Sequence, residues 1–210
     1  MYVAERNEYV ERQEAGFLFW LMFIAATTLG AFVGHYLEDL IRIVQLPGAF
    51  DILSIAAGGA VAGAVIGLAQ ALVLMPYLKR QGALEWLVAS ILGRIASGII
   101  FFLYGDALSG LFFDNSYGTV CGLILLKLLL GGVLGFILAF PQYLVLRHRS
   151  TKAVFWVIAN IGVSVITTYI PFLTVGVFYG LLTGVITGYV MVDILRQPTR
   201  LAEWRVREEL

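Results

Sequence analysis

Beyond a polar opening stretch, the chain reads as long apolar runs separated by short polar turns. The runs fall at Phe17–Leu37, Ile52–Leu78, Leu84–Tyr104, Tyr117–Leu146, Ala153–Ile170 and Phe172–Leu195. Each is long enough to cross roughly 30 Å of hydrocarbon as a helix, and none alternates as a β-barrel strand would. The pattern predicts an all-α integral membrane protein with six transmembrane helices in residues 17–195. A cytoplasmic amphipathic tail (1–16) precedes them, and a cytoplasmic charged tail (196–210) follows.

Glycines recur inside these runs at four-residue spacing. Gly59, Gly63 and Gly67 lead to Gln70; Gly131 and Gly135, then Ala139, lead to Gln142; Gly180, Gly184 and Gly188 lead to Met191. A basic turn follows the first two ladders (LKRQG and LRHRS), and a tryptophan then opens the next helix, as Trp86-Leu-Val-Ala-Ser90 and Trp156-Val-Ile-Ala-Asn160. After the third ladder LRQPTRLAEW echoes LKRQGALEW, but charged residues stand where an upgoing helix should start. Helix 1, with Trp20 near its start, can supply that missing half. The expected architecture is therefore three helical hairpins about a pseudo-threefold axis: helices 2–3, helices 4–5, and helix 6 with helix 1. Small residues at every fourth position flatten a helix face for close packing. That face serves either the bundle itself or a partner chain, and the stripe on helix 1 (Ala26, Gly30, Gly34) is the one best placed for a partner.

The repeat GxxxGxxQxxxL…W over residues 59–195 resembles a scattered group of uncharacterised polytopic membrane proteins of cyanobacteria and other bacteria. That resemblance implies a membrane bundle and no activity. The layout of six helices with both ends inside is also similar to the substrate-binding subunit of energy-coupling-factor vitamin transporters. No substrate motif accompanies that second similarity, and the threefold repeat departs from it.

Composition and charge refine the class. Sixty per cent hydrophobic residues, 13% charged residues and a mean hydropathy of +0.89 leave too few charges for a soluble surface. Zero net charge offers no electrostatic ground for a nucleic-acid partner. Basic residues gather in the N-terminal tail (Arg6, Arg12), the second loop (Lys79, Arg80), the fourth loop (Arg147, Arg149, Lys152) and the C-terminal tail. The opposite side has only Arg42. This bias places both termini in the cytoplasm, in a bacterial inner or thylakoid membrane. The single cysteine, Cys121, reads as a packed thiol.

Polar residues inside the apolar runs are the candidates for chemistry. Gln70 and Gln142 occupy matching frames and are expected to face inward and cross-link neighbouring helices. Pro141 frees the carbonyl of Ile137, which Gln142 or a neighbouring helix could satisfy. Arg94 lies near the middle of its helix, where insertion costs at least about 2.5–3.5 kcal/mol. No carboxylate sits at its depth, so its acceptors are carbonyls, hydroxyls such as Ser90, Ser97 and Thr167, amides, a lipid, a ligand or a partner. Lys127, nearer the outer face, snorkels or pairs with an outer acid. His35 is a lone histidine; no catalytic set and no metal-spaced group of ligands appears, and no cofactor is indicated. Two functions fit. One is a non-catalytic accessory or assembly subunit that packs against other membrane subunits through its glycine faces. The other is a solute-binding or transport protein, with Arg94 as anion contact and Gln70, Gln142 and Asn160 lining a cytoplasm-side cavity.

Overall fold

A computed structural model describes residues 15–43, 51–113, 120–170 and 176–196. Among them all regular structure is helical: α1 (Phe17–Ile43), α2 (Asp51–Phe113), α3 (Val120–Leu146), α4 (Ala153–Tyr169) and α5 (Gly176–Arg196). Helices α1, α2, α3 and α5 are long and apolar enough to cross a membrane, and α4 is a shorter apolar helix of 17 residues. Helix is what such sequences must adopt in lipid, where backbone groups have no water to bond. The tails beyond these bounds, including the Trp204 echo, lie outside the described residues, as do the side chains of Arg42, Asp51, Asp106, Asp114 and Cys121.

The second and third apolar runs are not separated by a loop. They join in α2, which breaks at the single residue Lys79 (φ 59°, ψ 170°). The two arms, 51–78 and 80–113, then fold back on one another, so that a Cβ on Gly63 would lie 2.8 Å from the Cα of Ile91. Only one residue departs from the helix, and it adopts a conformation that glycine enters freely and other residues rarely do. Lys79→Gly is accordingly expected to raise stability by about 1 kcal/mol, because relief of that backbone exceeds the entropy glycine adds to the unfolded chain. A thermal melt in detergent checks it, and a lower melting temperature would contradict it.

Helix α1 packs on α2 and α5, α2 on α3, α3 on α4 and α4 on α5, closing a ring. Glycine ladders make close approaches. Gly59, Gly63 and Gly67 lie against the second arm of α2; Gly131 and Gly135 lie against α4; Gly180, Gly184 and Gly188 lie against α1. The stripe on α1 is covered as well. Gly30 and Gly34 face Ile66 and Ala62 of α2, with backbone atoms 3.0 and 3.2 Å from where a Cβ would stand. Of the two readings of this stripe, packing within the bundle is the one these contacts support, since α2 itself comes up to the face.

The core lies toward the end of the bundle that carries the basic turns. Phe19, Leu74, Leu78, Trp86, Leu146, Trp156, Met191 and Ile194 are buried there. Polar ties close the same end. Arg149 donates to the carbonyl of Leu78 at 2.8 Å, satisfying an acceptor released where α2 breaks, and Lys152 pairs with Asp193 of α5 at 2.8 Å.

Candidate functional site

Two buried amide–indole pairs stand at the centre. Trp86 Nε1 donates to Gln70 Oε1 at 3.1 Å, and Trp156 Nε1 donates to Gln142 Oε1 at 3.0 Å. Each glutamine uses its amide nitrogen on another helix: Gln70 Nε2 donates to Thr27 Oγ1 of α1 at 3.1 Å, and Gln142 Nε2 to Ser90 Oγ of α2 at 2.8 Å. Ser90 and Asn160 in turn donate to the carbonyls of Trp86 and Trp156, one turn back. The inward, cross-linking role expected of Gln70 and Gln142 is what the geometry has. Gln142 does not serve the Ile137 carbonyl that Pro141 releases, because Trp156 and Ser90 already take both ends of its amide.

Trp20 is not placed as Trp86 and Trp156 are. Its Nε1 donates to the carbonyl of Val185, and the ring is half-exposed. Phe19, one residue earlier, is 1% exposed and belongs to the same buried core as Met191. On a helix one residue is a rotation of about 100°, enough to turn a side chain from core to rim.

Outward from the tryptophans, a cavity of about 40 Å³ is lined by Gln70, Ser90, Arg94, Gln142, Asn160 and Thr183, with Thr27 and Tyr179 beside them. The structure therefore brings Arg94, Gln70, Gln142 and Asn160 to one place. It does not bring Lys127, whose ammonium lies 5.8 Å from the Tyr169 ring centre on the α3–α4 side. Trp156 forms part of the same wall and meets Trp86 edge-on, with ring centroids 5.0 Å apart.

Arg94 is half-buried, with Cζ 5.3 Å from the centre of the Tyr179 ring of α5. Among the described residues its guanidinium forms no hydrogen bond and no ion pair. Of the groups expected to hold it, Ser90 is engaged by Trp86 and Gln142, Thr167 by Ser164, and the Gln70 and Gln142 carbonyls by the two indoles. A cation–π contact supplies about 2 kcal/mol when desolvated, less than the roughly 2.5–3.5 kcal/mol the charge costs at mid-depth. The lining has a second unsatisfied group: the Oγ1 of Thr183, in a residue only 7% exposed, has no hydrogen-bond partner among the described residues. Near Arg94's other side, His35 Nδ1 lies 2.8 Å from the Ala31 carbonyl and its ring is 5.6 Å from that of Tyr179.

Tyr179, Thr27 and Thr183 are not legible as site residues in sequence, since each is an ordinary residue of an apolar run. The one available signal is their place beside the third glycine ladder or its partner helix. In comparisons with family models, curated proteins and solved structures, the chain matches none.

Proposed function

We propose that the chain is a non-catalytic, six-span membrane protein built as three hairpins about a pseudo-threefold axis, and that it binds a small anion in the axial cavity at Arg94. The six spans are α1, the two arms of α2, α3, α4 and α5. A straight helix of 63 residues would reach about 95 Å, three times the bilayer core, whereas each arm alone fits it. Three equivalent contacts support the pseudo-symmetry: a Cβ on Gly63, Gly135 or Gly184 would meet the Cα of Ile91, Ile161 or Ile24 at 2.8, 2.7 and 2.9 Å. The positive-inside bias puts the basic turns in the cytoplasm.

The convergence of Arg94 with an unpartnered Thr183 hydroxyl in a cavity without any carboxylate carries the functional reading. What this cavity offers in excess is donors, five N–H groups on the guanidinium and a hydroxyl. Its volume limits the occupant. About 40 Å³ holds one to three waters' worth of matter, and so a halide or a compact oxyanion rather than a vitamin-sized solute. The accessory-subunit reading needs an uncovered small-residue face, and each ladder lies against another helix of the same chain.

The test is anion-dependent stability of the purified protein. Replacing gluconate, which is too large for the cavity, by bromide or nitrate should raise the melting temperature, by an amount equivalent to about 2.7 kcal/mol at a hundredfold excess over Kd. Arg94→Gln should fold and lose this dependence. If wild type and variant respond alike, the anion reading fails, and a co-purifying membrane protein lost with Arg94→Gln would favour a partner instead.

A further inference from the structure

A second polar hollow, unconnected with Arg94, lies at the basic end of the bundle. It has a volume of about 300 Å³ and is lined by Tyr143, Arg147, His148, Ser150, Thr151 and Val154, at the turn from α3 into α4. Four basic or ionisable side chains populate this turn, and they divide into two classes. Arg149 caps the broken end of the first arm of α2, and Lys152 is held by both oxygens of Asp193. Among the described residues Arg147 and His148 make no such structural tie; Arg147 Nε donates to His148 Nε2 at 3.3 Å, which leaves both terminal amino groups of the guanidinium for an outside acceptor.

The walls of the hollow continue into apolar surface. Val154 is itself 48% exposed, and Phe155 and Ile158 follow it along α4. On α3, Tyr143 of the hollow stacks on Phe140, which pairs with Phe136, and both phenylalanines are exposed. A basic hollow that opens onto an exposed apolar strip between two helices suits a molecule with an anionic head and a hydrocarbon tail. The first hairpin has no comparable room at its turn, for Lys79 alone breaks the helix there, whereas here Arg147–Lys152 leave the helix between α3 and α4.

We propose that this hollow is a binding site for the phosphate headgroup of an anionic phospholipid, with Arg147 as the principal phosphate contact, His148 and Thr151 beside it, and the acyl chains along Phe140, Val154 and Ile158. Arg suits the role because its planar fork matches two phosphate oxygens. Native mass spectrometry of the full chain with phosphatidylglycerol or phosphatidylcholine added to the micelles tests this. Phosphatidylglycerol should be retained about five- to thirtyfold better, the preference expected of one or two basic groups at a membrane surface. Arg147→Gln with His148→Gln should abolish the preference at an unchanged melting temperature, since both side chains are exposed. Should the double variant not fold, Arg147→Gln alone should lose most of the preference. Excess inorganic phosphate should not displace the lipid, because it gains nothing from the apolar strip. Equal retention of the two lipids, or a preference that survives the variants, would overturn the site. Displacement by free phosphate would overturn the lipid as its occupant.

Discussion

Gly135→Ala is expected to cost about 1–3 kcal/mol and to lower the melting temperature, while Gly132→Ala, three residues earlier on the same helix, should raise it. The two sites share sequence chemistry and differ in what a methyl group meets. At Gly135 a Cβ would lie 2.7 Å from the Asn160 carbonyl oxygen and 2.7 Å from the Cα of Ile161. These are backbone atoms of α4 and cannot swing aside, so α3 and α4 must separate along the whole interface. In lipid there is no hydrophobic force to restore them, since close packing itself holds the helices together. At Gly132 nothing stands within 4 Å. There alanine adds only helix propensity, about 0.5–1 kcal/mol. Equilibrium unfolding of both variants in one detergent decides the matter; equal effects of the same sign would mean that the ladder does not set the helix separation.

The apolar runs were legible because membrane helices must be long and nearly uncharged, and the glycine ladders because their four-residue period marks a face. The partner of each face was harder to read. The stripe on α1 looks the same in sequence whether it meets α2 or another chain, and only the coordinates of Ile66 and Ala62 decide it. The turn at Lys79 and Arg80 was legible from its charges, but its compactness was not: a single residue breaks α2, with no proline or glycine at the position, and Gly82 three residues on sits inside the second arm. Arg94 was conspicuous, yet its contact was not. Tyr179 is 85 residues away along the chain and one of ten tyrosines. Trp20 looks like Trp86 and Trp156 in sequence but is half-exposed while its neighbour Phe19 is buried, because one residue along a helix turns a side chain by about 100°.

That difference points to the role of the tryptophans. In two helix pairs a buried indole donates to a buried amide, Trp86 to Gln70 and Trp156 to Gln142. Where α5 packs on α1, the buried residues include Phe19 and Met191, which have neither donor nor amide acceptor. Under the proposed repeat, these two stand in place of both the indole and the amide. The physical reason is the asymmetry of buried hydrogen bonds: losing one partner leaves a desolvated group that costs about 1–3 kcal/mol, whereas replacing both by apolar groups is nearly neutral. Trp156→Phe should therefore destabilise by about 2 kcal/mol, leaving Gln142 Oε1 without its donor, and Gln142→Met should do likewise, leaving the indole N–H unpaired. The double variant, which copies the chemistry of Phe19 and Met191, should be less destabilised than the sum of the singles by about 1–2 kcal/mol. It will not return fully to wild type, since Gln142 also donates to Ser90 and a phenyl ring fills less space than an indole. Unfolding free energies of the four proteins of this cycle give the coupling directly. Strict additivity would mean that the Trp156–Gln142 bond contributes nothing, and that the bundle needs those side chains only for their volume.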